Sequence, residues 1–193
     1  LVYYIDHDNK KAYWKTYDQI LDSWTKPYFD KESQSSGSEN NETTFESKYN
    51  NLFEHSNQAI FHEIPLLSVY QNKENNHHTV QIQPNEDTHR ITMFNLNNSP
   101  IDSLKINNKD FVYQLGTQQL KNINRLLTYY VVDQEPISIE IFSEKTPDIQ
   151  LIASSYMLFQ SNALDVKPRS SNFIPKPFVL NDVIMEERVI DFK

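Results

Sequence analysis

The chain has 193 residues, a net charge of -8 and no cysteine. This length is enough to bury a hydrophobic core without a disulfide or a metal. The acidic balance argues against a nucleic-acid binder and against electrostatic docking on anionic lipid. The lack of cysteine excludes thiol chemistry, and no run of 18 apolar residues is present that would predict a membrane-spanning helix.

The composition favours β-sheet. Aromatic residues make up 12% of the chain, and their side chains suit the pleated, half-buried surface of a sheet. Only Gly37 and Gly116 are glycines, whereas asparagine occurs 20 times. Because asparagine tolerates positive φ better than most residues, we expect three Asn-Asn pairs to form turns: Asn75-Asn76, Asn97-Asn98 and Asn107-Asn108.

The first 29 residues predict a hairpin followed by a short helix. Apolar runs at 2–5 and 12–14 flank a polar turn, which is typical of a β-hairpin. Asp18 then precedes apolar residues at helical spacing. It is therefore predicted to cap a helix over 19–25 that Pro27 ends.

A polar stretch follows at 30–47, rich in Ser, Glu and Asn. It cannot bury enough apolar surface to offset the entropy of ordering, so we predict a flexible surface loop. The loop contains Asn41 of the sequon Asn41-Glu42-Thr43, and a second sequon begins at Asn97. Both asparagines are candidate glycosylation sites, because loops accommodate glycans.

From residue 57 onward, apolar and polar residues alternate with period 2. The alternation at 79–83 and at 90–96, on either side of the turn 84–87, predicts a β-hairpin. The stretch 118–128 reads as a helix that leads into a strand. Further strands are predicted at 59–64, 66–71, 101–106, 111–115, 125–132, 137–142, 149–155 and around Val189.

This pattern predicts one mainly β domain, 1–193, with the architecture of an antiparallel β-sandwich of jelly-roll type and one or two short helices.

The search for reactive groups gives no catalytic, cofactor-binding or metal residue. The pair Glu186-Glu187 is interpreted as a solvated strand end. His62-Glu63 is half of a zinc-binding H-E-x-x-H motif, but the second histidine is missing and Pro65 would break the helix that the motif needs. No glycine-rich phosphate loop or nucleophile elbow is present.

Three histidines remain an open question. His77 and His78 could join His89 across the predicted hairpin as a surface metal site. Adjacent residues on a strand point to opposite faces, so at most one of the pair shares a face with His89. Exposed loop histidines without a metal are the favoured interpretation.

The opening segment carries the most specific pattern, VYYIDHDNKKAYWKTYDQILDSWTKPYF at 2–29. It resembles membrane-bound zinc peptidases of the aminopeptidase type, including fungal vacuolar membrane proteases and the endoplasmic reticulum metallopeptidase. The elements that match are the hydrophobic strand at 2–5, Ala12-Tyr13-Trp14 and Trp24-Thr25. The stretch 125–158 is similar to strand pairs near the C-terminus of those proteins, and 174–192 to their terminal segment, with Asn181-Asp182-Val183 at the corresponding point.

The resemblance implies a place in a larger protein. In that family a separate luminal domain holds two zinc ions, a multi-pass membrane region follows, and the C-terminal segment returns to the lumen. This chain would be that last segment, in the vacuole or the endoplasmic reticulum. Its partners would be the peptidase and transmembrane domains of the same polypeptide. No catalytic residue carries over, because Glu186-Glu187 lacks the family's other zinc ligands.

Three functions follow from the sequence. The first is a non-catalytic accessory domain that supports assembly, stability or substrate access of a zinc metalloprotease. The second is a carbohydrate- or peptide-binding β-sandwich module that uses Trp14 or Trp24. The third, a free-standing hydrolase, is the least favoured.

Overall fold

The computed structural model describes residues 1–29, 53–96, 100–111, 125–177 and 179–192. In these ranges the chain consists of strands and loops, and the helices are single 3-10 turns at Lys26–Tyr28 and Met157–Phe159. None of the helices in these ranges has the length and apolar character that a membrane crossing requires. The mainly β fold class predicted from the sequence is confirmed.

The strands, in chain order, are β1 (Val2–Asp6), β2 (Lys11–Thr16), β3 (His55–Ala59), β4 (Leu67–Glu74), β5 (His77–Pro84), β6 (Thr88–Asn95), β7 (Ser103–Ile106), β8 (Lys109–Asp110), β9 (Arg125–Tyr130), β10 (Ile137–Phe142), β11 (Ile149–Ser155) and β12 (Val183–Ile190).

The chain divides into two compact units. Unit 1 comprises Leu1–Ile64 and Ser155–Met185, and unit 2 comprises Pro65–Ser154 and Glu186–Lys193. The boundary falls inside β12, whose first three residues belong to unit 1. The prediction of a single domain over 1–193 stays a prediction.

Unit 1 is organised around the β1–β2 hairpin. The two strands pair antiparallel with Tyr3 opposite Trp14, and β3 pairs with the other edge of β2. Residues 2–5 of β1 are all buried. Because successive residues of a strand point to opposite faces, both faces of β1 are covered. The backbone N–H of Val183, at the start of β12, donates to the carbonyl of Leu1 at 3.3 Å. The antiparallel pairing of β1 with β2 confirms the hairpin predicted from the sequence.

Unit 2 is an antiparallel β-sandwich. One sheet has the order β12-β11-β6-β9, and the other β4-β5-β10-β7-β8. In β5 and β10 every second residue is buried, as expected for strands that turn one face to the core and one to solvent. β11 is buried at every position. The pattern in the sequence predicted these strands correctly. The strand predicted at 59–64 is wrong: β3 ends at Ala59, and the Tyr3 hydroxyl binds the backbone of Ile60 and His62 instead. The strand predicted at 111–115 lies, beyond its first residue, outside the described residues.

The hairpin predicted between β5 and β6 is wrong. β5 pairs with β4 and β10 in one sheet, whereas β6 pairs with β9 in the other. The turn between them therefore carries the chain from one sheet to the other. It is fixed by bonds to the segment before β4: Asn85 N donates to the Leu66 carbonyl at 2.8 Å, and Thr88 Oγ1 donates to the same oxygen at 2.8 Å.

Asparagine does form the tight turns. Asn75, in the β4–β5 turn, has a φ of 53°, and Asn107 and Asn108, between β7 and β8, have φ values of 49° and 62°. Two successive residues with positive φ define a type I′ turn, whose twist suits a hairpin. These turn predictions are confirmed, whereas Asn97-Asn98 lies outside the described residues.

The helix predicted over 19–25 is also wrong. Asp22 Oδ1 accepts hydrogen bonds from the backbone N–H groups of Trp24 and Thr25, at 2.9 and 2.7 Å. Such local side-chain bonds compete with helix formation. Asp18 caps nothing: its carboxylate accepts a bond from Thr16 Oγ1 at 3.0 Å. The predicted loop 30–47, both glycosylation candidates Asn41 and Asn97, and most of the helix predicted from 118 lie outside the described residues.

Candidate functional site

A row of aromatic rings lies in unit 1, in the segment that carries the family resemblance. Pairing of β1 with β2 places Tyr3 against Trp14, with ring centroids 5.0 Å apart. Trp14 is 4.8 Å from Tyr28, which is 6.1 Å from Trp24, and Trp24 is 6.1 Å from Phe159. Both indoles are half-buried. We call these five residues the aromatic row.

At one end of the aromatic row, Arg169 joins two carboxylates. Its guanidinium carbon lies 4.2 Å from the centre of the Trp24 ring. Nη2 and Nε donate to the two carboxylate oxygens of Asp182 at 3.0 and 3.2 Å, and Nη1 lies 3.6 Å from Asp22 Oδ2. The Arg169 side chain is only 8% exposed. A planar guanidinium suits this combination of a bidentate carboxylate bond and aromatic stacking.

We call Arg169, Asp22 and Asp182 the Arg169 cluster. Its two aspartates bind different further groups of unit 1. Burial acts to raise the pKa of Asp22, but hydrogen bonds from Thr25 and Trp24, with the charge of Arg169, outweigh it and lower the pKa. Asp182 also accepts a bond from the Leu1 nitrogen at 3.1 Å. The cluster therefore joins the turn at Asp22, the start of β1 and the residue before β12 inside unit 1.

At the other end of the aromatic row, the Tyr3 hydroxyl also joins distant parts of unit 1. It donates to the carbonyl of Ile60 at 2.7 Å and accepts from the N–H of His62 at 3.0 Å. Burial raises the pKa of Tyr3, against the opposing effect of the His62 bond. These bonds hold the extended segment after β3. His62, from the rejected zinc motif, lies in this segment with its ring 6.4 Å from that of Tyr3.

In unit 2, Glu186 is wholly buried, so the interpretation of Glu186-Glu187 as a solvated strand end is wrong for this residue. Its Oε2 accepts from the N–H groups of Leu66 and Leu67 at 2.6 and 3.1 Å, and its Oε1 accepts from Arg188 Nε at 2.6 Å. Leu66 directly precedes β4 and Leu67 is its first residue, so Glu186 on β12 binds backbone groups of the opposite sheet. A buried carboxylate is tolerable because it is paired and hydrogen-bonded.

Glu187 does not join Glu186 in a shared site. Its carboxylate accepts a hydrogen bond from the Gln150 side chain on β11. Neighbouring residues of a strand point to opposite faces, so two consecutive glutamates on β12 do not converge on one metal ion.

The interpretation of the three candidate histidines as exposed loop residues is wrong, because all three lie on strands and none is exposed. They are also dispersed. His77 lies on the outward face of β5, where its Nε2 contacts Glu140 Oε2 at 3.0 Å and its ring stacks on Phe142 at 4.5 Å. His78 is buried on the opposite face. His89 lies on β6, in the other sheet, with Nε2 3.5 Å from Ser154 Oγ. In the part of the chain that the structure describes, no group of three or more potential ligands is placed to hold a metal.

His89 should make unit 2 sensitive to acid. Burial, with a smaller effect of the Arg90 charge, lowers the pKa of His89 to about 4. An unfolded histidine titrates near ~6.5, so its stabilising contribution is complete above that pH and is lost as the pH falls towards 4. Allowing for partial solvent screening of this half-buried side chain, we expect unit 2 to lose about 1 kcal/mol between pH 7.5 and pH 5.

The check is chemical denaturation of the wild type and His89→Gln at both pH values. The variant should show a smaller loss, because its side chain does not titrate. Equal losses in the two proteins would assign the acid sensitivity to other groups.

Sequence reasoning missed the residues that organise these clusters. Arg169 stands in a loop next to a proline, with no periodic pattern around it. In the sequence, Asp182 stands out only through the resembling triplet, and Asp22 only through the helical spacing around it. For Glu186 a signal was available in the sequence, because the apolar run Val183-Ile184-Met185 leads directly into it.

Unit 1 also has a shallow groove at the edge of its sheet. Its lining comes from the end of the first hairpin and from the β3 edge strand: Lys10, Lys11, Ala12, Asn57, Gln58, Ala59, Ile60 and Phe61. Ile60 is 79% exposed. An edge strand beside a groove is a geometry by which extended peptides bind.

Comparison with known proteins adds no assignment: no family model, no curated protein and no solved structure matches this chain. The class that the fold defines is an antiparallel β-sandwich protein.

Proposed function

We propose that this chain is the non-catalytic C-terminal luminal domain of a multi-pass membrane zinc metalloprotease of the vacuolar or endoplasmic reticulum type. Its role there is to support the assembly and stability of the peptidase domain, which would hold the zinc. The partners are the peptidase and membrane domains of the same polypeptide.

One observation carries the proposal. Trp24 and Asp182, one from each of two stretches that carry the family resemblance, both contact Arg169 inside unit 1. Asp22, which accepts from the N–H of Thr25, lies against the same guanidinium. Residues that interact in this way have a structural reason to occur together in a family of sequences. The resemblance thus falls on contacts that stabilise the fold, which supports an accessory role.

The bonding of two carboxylates agrees with this role. Asp182 binds Arg169 and the Leu1 nitrogen, and Glu186 binds Arg188 and the backbone N–H groups of Leu66 and Leu67. Carboxylates engaged in this way stabilise the fold, and a reaction would require them to give up those bonds.

The first test is the coding sequence upstream of Leu1, where the proposal expects a run of hydrophobic helices preceded by a zinc peptidase domain. The second is deletion of residues 1–193 from the full-length protein in its native membrane. We expect a lower steady-state level and lower zinc-dependent peptidase activity. An unchanged level together with unchanged activity would refute the supporting role.

The alternative, a carbohydrate- or peptide-binding module, draws on the half-buried indoles and the groove beside β3. We expect soluble oligosaccharides to leave the tryptophan fluorescence unchanged, because Trp14 and Trp24 are already engaged by Tyr3, Tyr28 and Arg169. Fluorescence titration checks this, since the only two tryptophans of the chain are in the aromatic row. A saturable change that Trp24→Phe abolishes would favour the binding module.

A further inference from the structure

His78 is a buried titratable side chain to which the proposed function assigns no role. It lies on the inward face of β5 with 1% of its surface exposed. Its ring packs edge-on against Phe192, with centroids 5.0 Å apart, and Phe192 is 7% exposed. The adjacent Asp191 accepts a bond from the Gln71 side chain at 3.3 Å through its backbone carbonyl. His78 thus supplies an aromatic contact that holds the segment after β12 in unit 2.

The two ring nitrogens of His78 are poorly satisfied. Neither lies in hydrogen-bonding geometry with a described residue. The carbonyls of Ile141 and Asn76 are near enough to favour a proton on the ring, but burial has the larger effect and lowers the pKa of His78. A buried polar group without good partners carries a free-energy cost in the folded state.

The charges around His78 also disfavour a proton. Lys73 on β4 is paired directly opposite His78, and Glu74 is paired opposite His77. On β10, Glu140 contacts His77 on the outward face of the sheet. The charges of Lys73 and His77 both lower the pKa of His78. Glu74 and Glu140 therefore lie beside the outward histidine, whereas the residue opposite the inward one is the cation Lys73.

We propose that His78 is an acid-sensitive contact, whose protonation detaches Phe192 and the end of β12 from β5. An imidazolium in an apolar interior beside Lys73 costs more free energy than an aromatic contact provides. Detachment of Phe192 lets water reach the ring and relieves that cost. The proposal concerns unit 2 alone and holds whatever protein the chain belongs to.

The direction of the response follows from proton linkage. The attached state binds fewer protons at His78 than the detached state, in which the ring is hydrated. The contact is therefore complete above the ordinary histidine pKa, about 6.5, and weakens as the pH falls below it. Each unit by which attachment lowers the pKa corresponds to about a tenfold change in the attachment equilibrium.

The test is hydrogen exchange of the peptide covering residues 186–192 at pH 7.5 and pH 5.5, corrected for the intrinsic pH dependence of exchange. In the wild type we expect protection to fall about tenfold at the lower pH. In His78→Phe, which keeps an aromatic ring but cannot titrate, it should stay within about twofold. No fall in the wild type, or an equal fall in the variant, would overturn the proposal.

Two further measurements keep the result decisive. His89→Gln is the matched control, because it removes a different, half-buried histidine of unit 2 and should retain the fall at residues 186–192. If His78→Phe does not fold, an NMR titration of the wild type replaces it. There the ring of Phe192 should change its resonances along the His78 titration curve. A His78 that titrates while Phe192 stays unchanged would contradict the proposal.

Discussion

Glu186→Ala is expected to lower the free energy of unfolding of unit 2 by about 3–5 kcal/mol, the range for removing one partner of a buried ion pair. The substitution leaves Arg188 without its 2.6 Å partner and leaves the N–H groups of Leu66 and Leu67 without an acceptor. Truncation of this wholly buried side chain to alanine also leaves a cavity. Three separate costs thus fall on one position.

Glu186→Gln separates these costs. Its amide oxygen can still accept from the β4 backbone, but it carries no charge for Arg188, so we expect an intermediate loss of about 2 kcal/mol. Glu187→Gln is the matched control, because it makes the same chemical change at the neighbouring, half-buried residue.

Denaturation followed by circular dichroism gives the free energies, and hydrogen exchange of β4 shows that the loss belongs to unit 2. Tryptophan fluorescence reports unit 1 separately, since both indoles are there. Equal losses for Glu186→Gln and Glu187→Gln would show that the buried carboxylate has no special role.

The sequence was most informative where local preference and tertiary structure agree. The alternation in β5 and β10 reflects strands with one buried and one exposed face, and the Asn107-Asn108 turn follows from what two residues with positive φ require. Both depend on neighbours in the chain, so a single sequence is sufficient to predict them.

The sequence was least informative where contacts between distant segments determine the structure. Alternation has the same form whether two successive strands pair side by side or pack face to face, so the crossing between β5 and β6 looked like a hairpin. Glu186 looked solvated because the N–H groups that it binds come from residues 120 and 119 positions away. The Asp22 turn replaced a helix because one carboxylate bonds its own backbone, which helical spacing does not reveal.

The Arg169 cluster was invisible in the sequence for the same reason, and its removal should have the second large effect. Arg169→Ala is expected to destabilise unit 1 by about 3 kcal/mol. The variant loses the bidentate bond to Asp182, the attraction to Asp22 and the contact with the Trp24 ring. We place the value at the low end for a buried pair because Asp22 keeps 28% of its side chain exposed and water can partly replace the arginine.

Arg169→Lys tests whether geometry or charge matters. An ammonium retains the charge but cannot reach both carboxylates while lying over an indole, so we expect it to recover less than half of the loss, about 1 kcal/mol. Tryptophan fluorescence during urea denaturation measures both variants, because Trp24 is the ring that the guanidinium covers.

Lys167→Ala is the control for the Arg169 variants. It removes an exposed cation from the same loop but keeps the carbonyl that accepts the Trp24 Nε1–H bond at 3.1 Å. Its free energy of unfolding should lie within about 0.5 kcal/mol of the wild type. If Arg169→Ala is equally mild, the cluster does not hold unit 1 together. The proposal that the family resemblance marks structural contacts then loses its support, because Arg169 is what connects Trp24-Thr25 to Asp182.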